Sequence, residues 1–258
     1  MKKILKPSSS AKVEELQSDE EALWQKVYDV RADYYEKHIG QLPQEILKMG
    51  NMTGVWPGGG LFVIAADKLV KGLWVYTTFG LTNPDMPATT TMAEYEIKKD
   101  EHGRSSSYSG TLQSKEQAKS PSDSAGYGYE MLLIAKENAQ WPLWFMQWAV
   151  NAEILNDAGI LDRVEKYHGL TVEEIQVGET ESVHVLIHKA QHPLPLGMTL
   201  PNGKMELLVA TVITEDEMQW SMQYGREALL KALIEAGVGQ ISDRHRESIF
   251  LGEKHNAI

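Results

Sequence analysis

Residues 126–144 carry the stretch whose reading decides the fold: Gly126-Tyr127-Gly128-Tyr129-Glu130-Met131-Leu132-Leu133-Ile134-Ala135, a polar link, then Trp141-Pro142-Leu143-Trp144. The first part reads as a strand over Tyr127–Ala135, with aromatic residues leading into an apolar run. The second opens a helix, since Trp141-Pro142 puts proline in the first turn, where its missing N–H costs nothing. Apolar residues then fall almost all round that helix, at Leu143, Trp144, Met146, Trp148, Val150, Ile154 and Leu155. Such a helix is expected in the middle of the structure. A strand that leads straight into a buried helix points to a mixed α and β protein.

Working outward, strand-like runs precede this stretch at Leu61–Ala66, Leu73–Phe79 and Ala93–Lys98, and follow it at Thr171–Val177, Val183–His188 and Glu206–Ile213. Upstream, Ser18 and Glu21 match a capping box, and Leu23, Val27, Val30 and Tyr34 recur at helical spacing until Gly40. That predicts a helix over residues 18–38. Residues 53–60, T-G-V-W-P-G-G-G, are loop by composition. From Glu101 to Ala125 the chain is rich in Ser, Gly and Lys with little to bury, so a long loop or insertion is expected. Strands on both sides could share one sheet, so it marks no domain boundary. Thr214 and Glu217 form a second capping box, opening a last helix whose buried face is expected at Met218, Met222, Leu229 and Leu233, with Gly237 ending it. No internal repeat is present.

Composition excludes several functions. Apolar residues at 42% and charged residues at 24% belong to an ordinary globular chain. There is no cysteine, which removes disulfides, thiolate nucleophiles and cysteine-ligated metal centres. The start MKKILKPSSS is too poor in apolar residues for a signal peptide, and no run reaches membrane-span length, so a cytoplasmic protein with no membrane contact is expected. Formal charge is -11, from 36 acidic and 25 basic residues. That argues against nucleic acid, whose affinity comes from Lys and Arg meeting phosphates; it is compatible with a basic protein partner steered by the field, and equally with acidity that serves solubility alone.

A search for chemistry yields little. Gly126-Tyr127-Gly128 begins like a dinucleotide fingerprint, but Met131 stands where the third glycine belongs and a strand follows. Gly58-Gly59-Gly60 reads as a turn rather than an anion cradle. His184, His188 and His192 are the best metal candidates by spacing. On a strand, however, side chains four apart lie roughly 13 Å from each other, too far to share one ion. His168 has no partner at a telling spacing. Glu173 and Glu174 are adjacent and would point to opposite faces of a strand, a poor acid–base couple. Of seven tryptophans, Trp24, Trp74, Trp141, Trp144, Trp148 and Trp220 lie on predicted elements as core. Trp56 sits in a Gly/Pro loop, where an exposed ring would suit binding, although burial is the expectation. No catalytic, cofactor or metal residue is assigned.

Four segments in order resemble the family of Suppressor of fused domains. They are Gly72-Leu73-Trp74-Val75-Tyr76-Thr77-Thr78-Phe79-Gly80-Leu81-Thr82, Gly126-Tyr127-Gly128-Tyr129-Glu130-Met131, Trp141-Pro142-Leu143-Trp144 and Val212-Ile213-Thr214-Glu215-Asp216-Glu217. The chain departs from the family in having Tyr167-His168-Gly169 where a Gly-His order is common. It resembles a short bacterial-type member. The resemblance implies an α+β fold, a mixed, mainly antiparallel sheet packed with helices. It places one such domain over residues 18–241, after a flexible lead at 1–17 and before a charged tail at 242–258, with the polar insertion 101–125 inside it. It also implies a non-enzymatic protein-binding domain. A bacterial immunity protein that neutralises a toxin, with a basic toxin domain as partner, is the leading expectation. A regulatory binder of an endogenous protein or peptide is the alternative, and an enzyme the remote one. The motif residues are expected to determine the fold rather than touch a partner, so the binding face and the oligomeric state stay unassigned.

Overall fold

The computed structural model describes residues 9–99 and 105–250. The first helix, α1 (Ser9–His38), starts well before the expected position, so Ser18 lies inside it and caps nothing. Part of the expected lead is therefore helical, and residues 1–8 fall outside the described part. Its buried stripe is also turned from the one expected. Val27, Arg31 and Tyr35 are sealed from solvent, while Leu23 is 38% exposed. Arg31 is in phase with Val27 and Tyr35 at i and i+4, so a charged side chain occupies the centre of the packed face.

Seven strands form the main sheet. Strands β1 (Gly60–Ala65), β2 (Trp74–Phe79), β5 (Ser124–Ala135), β9 (Gly203–Ile213), β7 (Ser182–Lys189) and β6 (Leu170–Gln176) lie in that spatial order, and β8 (Met198–Leu200) also pairs with β9. Every pairing is antiparallel except β5 with β9. The β5 sequence, alternating around Met131-Leu132-Leu133-Ile134, is apolar on both faces because both are covered. Met131 and Leu133 join a cluster with α2 (Trp141–Val150), the π-helical turn Asn151–Leu155 and α3 (Ile160–Tyr167). Leu132 and Ile134 point the other way, to Val27, Tyr35 and Ile39 of the α1 side.

Helix α2 is less central than its composition predicts. Trp141, Phe145, Met146, Ala149 and Val150 are buried, but Trp144 faces solvent. Part of the expected loop at 101–125 is strand: β4 (Ser105–Ser114) pairs with β3 (Thr90–Lys99) in a separate two-stranded sheet, while residues 115–123 carry no strand. The strand expected at Ala93–Lys98 is part of β3, whereas the polar sequence of β4, outside the main sheet and with little to bury, gave no strand signal. Leu112 anchors it against Gly54, where an added Cβ would come within 2.5 Å of the leucine.

The single last helix is in fact two, α4 (Glu215–Tyr224) and α5 (Arg226–Glu235), because the chain turns at Gly225 with φ +96. Met218, Leu229 and Leu233 are buried against Leu186 and Ile213, but Met222 is exposed. Residues beyond Ser242, expected as a charged tail, are strapped down as far as the description runs. Arg246 pairs with the fully buried Glu217, Ile249 N donates to the same carboxylate at 3.0 Å, and Phe250 stacks on Trp220 at 5.1 Å. Glu217 also accepts the Thr214 N–H at 2.9 Å, so one carboxylate closes both the helix start and the strap.

Candidate partner-binding groove

The residues that stand out in the sequence converge inside the protein. Glu130 of β5 is fully buried, and its Oε1 accepts from Gly80 N (2.9 Å), Thr82 N (3.1 Å), Thr82 Oγ1 (2.7 Å) and Arg31 Nη1 (3.1 Å). Its Oε2 accepts from Thr78 Oγ1 at 2.7 Å. Arg31 reaches Asn83 Oδ1 through Nη2 at 2.7 Å and lies 4.1 Å over the Phe79 ring. Burial draws the pKa of the guanidinium down, and the Glu130 charge opposes this. Glycine is required at Gly126, where φ is +54 and a Cβ would meet Leu81 O at 2.3 Å. These residues weld β2, β5 and α1 together, and none of them presents a polar group to a partner.

The other candidates from the sequence stay apart. His184 Nε2 meets Glu215 at 3.0 Å, His188 Nδ1 lies 3.1 Å from Lys189 O, and His192 borders an apolar groove beside Pro193. His168 ends α3 in the left-handed region. Among the described residues no three His, Asp or Glu gather as metal ligands. Gly58 and Gly59 pack against Trp24 and Trp56, and Gly60 begins β1. Glu173 and Glu174 were expected on opposite faces; a bulge in β6, with Glu174 at φ +51, leaves both exposed. Trp56 is buried and donates Nε1–H to Gly80 O at 3.0 Å.

A further buried carboxylate, Glu153, gave no sequence signal. It sits in the π-helical turn and accepts from Tyr129 OH (2.8 Å), Gly159 N (3.0 Å) and Ile160 N (2.9 Å), thereby capping α3. Burial holds its pKa above the ordinary carboxylate value of 4.5, against the pull of those donors. The folded protein thus holds this proton more tightly than the unfolded chain does. Its contribution to stability is full below the ordinary value and is lost as pH rises through the raised one. Urea titrations across this window are expected to show wild type losing stability relative to Glu153→Gln as pH rises. A difference independent of pH would overturn this assignment.

The surface feature that suits a partner lies at α1 and the loop after β2. A groove of about 540 Å3 is lined by Glu20, Glu21, Leu23, Trp24, Pro84 and Asp85. Trp24 stacks on Tyr28 at 5.6 Å, which meets Phe79 edge-on at 5.2 Å, so the groove wall is tied to the core. Glu20, Glu21 and Asp85 have no hydrogen-bond or ion-pair partner among the described residues. An aromatic wall with unpaired carboxylates around it fits a lysine or arginine side chain, through charge and cation–π attraction together. Neither segment announces this alone; the fold brings residues 20–24 and 84–85 together.

Comparison with known proteins agrees with this architecture. The family model for Suppressor of fused protein (SUFU) matches residues 59–247. The chain belongs to the Suppressor of fused family. No curated protein matches its sequence. Among solved structures, a Suppressor of fused homologue of Neisseria gonorrhoeae FA 1090 superposes with a TM-score of 0.52 at 16% identity, covering 88% of this chain and 97% of that one. A chain of the Sufu–Fu complex gives 0.48 at 14% identity, over 90% of this chain and 94% of that one. Drosophila Suppressor of fused gives 0.40 at 14% identity, over 76% of this chain and 44% of that one. The first of these shows the shared fold. Two of the four segments that resemble the family, residues 72–82 and 126–131, meet at Glu130.

Proposed function

We propose that this protein is a non-enzymatic binding domain that neutralises a toxin, a bacterial immunity protein acting in the cytoplasm on a basic toxin domain. The observation that carries the reading is the groove at Trp24, whose three carboxylates make no hydrogen bond or ion pair among the described residues. Support comes from the family, one of protein-binding regulators without enzymatic activity, and from the net charge of -11. No helix among the described residues is long and apolar enough to cross a membrane. Attraction over a distance brings a basic surface in, and burial of Leu23, Trp24 and Pro84 holds it there.

Two baits test this. The tagged protein and its Glu20→Gln/Glu21→Gln/Asp85→Asn variant are each used to capture partners from lysate of a strain carrying the matching toxin. Wild type is expected to retain one stoichiometric basic protein whose lethality is relieved on co-expression. The variant should bind it at least 10-fold more weakly, with a shallower dependence on salt. Equal capture by both baits would sink the groove. A captured protein that is harmless, or that binds as well when cut to a short peptide, would replace the toxin reading with that of a regulatory binder.

A further inference from the structure

Two donors that nothing in the protein satisfies mark a second site. Trp141, the first residue of α2, is only 5% exposed, yet its buried indole N–H meets no acceptor among the described residues. Arg244 Nε is in the same state. A buried donor without an acceptor is destabilising, and native structures rarely leave one without a reason. Both residues line one cavity of about 330 Å3, together with Lys136, Glu137 and Asp243.

The sheet explains why a cavity opens at this place. The parallel register of β5 with β9 runs as far as Leu133 opposite Ala210. Past that point Ser242 comes between the strands. Its N–H donates to Ile134 O at 2.7 Å, and its hydroxyl accepts from Val212 N at 3.0 Å and donates to Ala210 O at 3.1 Å. This wedge parts the carboxyl ends of the two strands, and the cavity lies beside it, with Ala135 and Ser242 in its wall. In open sheets with parallel strands, a crevice at the carboxyl ends is the usual place for a ligand. Helix α2 starts here too, and no side chain caps its positive end.

The groups left over define the ligand. Lys136 pairs with Asp243 at 2.9 Å and Arg244 Nη1 pairs with Glu181, so these charges are already matched. What remains is two N–H donors and one carboxylate, Glu137, which makes no hydrogen bond or ion pair among the described residues. Donors beside a helix start take a carboxylate, and a free carboxylate takes an ammonium group. A simple anion would be repelled by Glu137 and Asp243, and a simple cation would leave the Trp141 donor empty. An α-amino acid offers both groups and is neutral as a whole. The cavity is balanced likewise, with Lys136 and Arg244 against Glu137 and Asp243.

We propose that this cavity binds a free α-amino acid, with its carboxylate on Trp141 Nε1 and Arg244 Nε and its ammonium group on Glu137. The site shares no residue with the groove at Trp24, so either can hold without the other.

The test follows the indole N–H resonances of the 15N-labelled full chain while each common α-amino acid is added in turn at millimolar concentration. Trp141→Phe identifies the Trp141 signal by its absence and keeps a ring in the packing. At least one amino acid is expected to shift that signal to saturation. Calorimetry then compares this amino acid with its deaminated counterpart, which keeps only the carboxylate. Glu137→Gln, a change on an exposed side chain, should weaken the amino acid about 10-fold or more and leave the weaker binding of the counterpart unchanged. Trp141→Phe should weaken both. Thermal melts check that both variants fold. If no amino acid moves the Trp141 signal, the proposal is overturned and the two donors are left to water. Binding that is indifferent to Trp141→Phe overturns it as well. So does binding indifferent to Glu137→Gln, which would make the cavity a site for carboxylates alone.

Discussion

Glu130→Ala is expected to destabilise the protein by about 3–5 kcal/mol, because it leaves the Arg31 guanidinium buried without its counter-charge. Arg31→Ala should cost a comparable amount by the converse argument. Both side chains are fully buried, so solvent cannot take over the lost partner. Five donor contacts end on the Glu130 carboxylate, four of them from the chain between Thr78 and Thr82. The double variant Arg31→Met/Glu130→Leu should therefore lose less than the sum of the two single losses, but still fall short of wild type. Removing both charges cures the mutual loss, whereas the Gly80 and Thr82 N–H groups stay unpaired. Urea unfolding of the four proteins decides it. A loss below about 1 kcal/mol for Glu130→Ala would mean that the network is open to water.

Trp56→Ala should be of similar size, about 3–5 kcal/mol, the usual cost of deleting a large buried aromatic ring. The ring lies directly on Gly59, where an added Cβ would stand 1.8 Å from it, so nothing nearby can fill the space it leaves. Trp56→Phe keeps most of the packing and removes the bond to Gly80 O, with an expected loss of about 1–2 kcal/mol. That milder variant separates fold from function. If Trp56 is purely internal, the folded phenylalanine variant should bind partners as wild type does. Weaker binding at equal folding would place the 53–60 loop in the interface.

The strands with an apolar or β-branched face were legible in the sequence, as was the strand-to-helix passage at 135–141. What escaped had a common cause: the residues that matter most break the pattern that reveals elements. Arg31 stands in phase with Val27 and Tyr35, but its charge argued for the outside, and the predicted stripe on α1 turned away from it. Glu153 lies in a run of apolar residues where a carboxylate draws no notice. Only the turn at 156–159 shows that its role is to cap α3. Gly225 lies within the single last helix that was expected, and its positive φ splits that helix into α4 and α5. In β4 Leu112 and Tyr108 are the only large apolar side chains among ten residues, so no periodicity marked it. The groove at Trp24 combines two segments some sixty residues apart, a coincidence that only the folded chain contains.

The place of β9 in the sheet has a consequence for synthesis. This strand lies between β5 and β7, so the sheet has no continuous centre until residue 213 has been made. On a ribosome adding about 5–20 residues per second, the roughly eighty residues after Ala135 take on the order of 4–16 s. Through that interval β5 offers a bare edge and the apolar run Met131–Ile134 to the surroundings. A nascent chain of this protein therefore depends on something to shield it late in translation, and slow codons between positions 135 and 213 would lengthen its exposure.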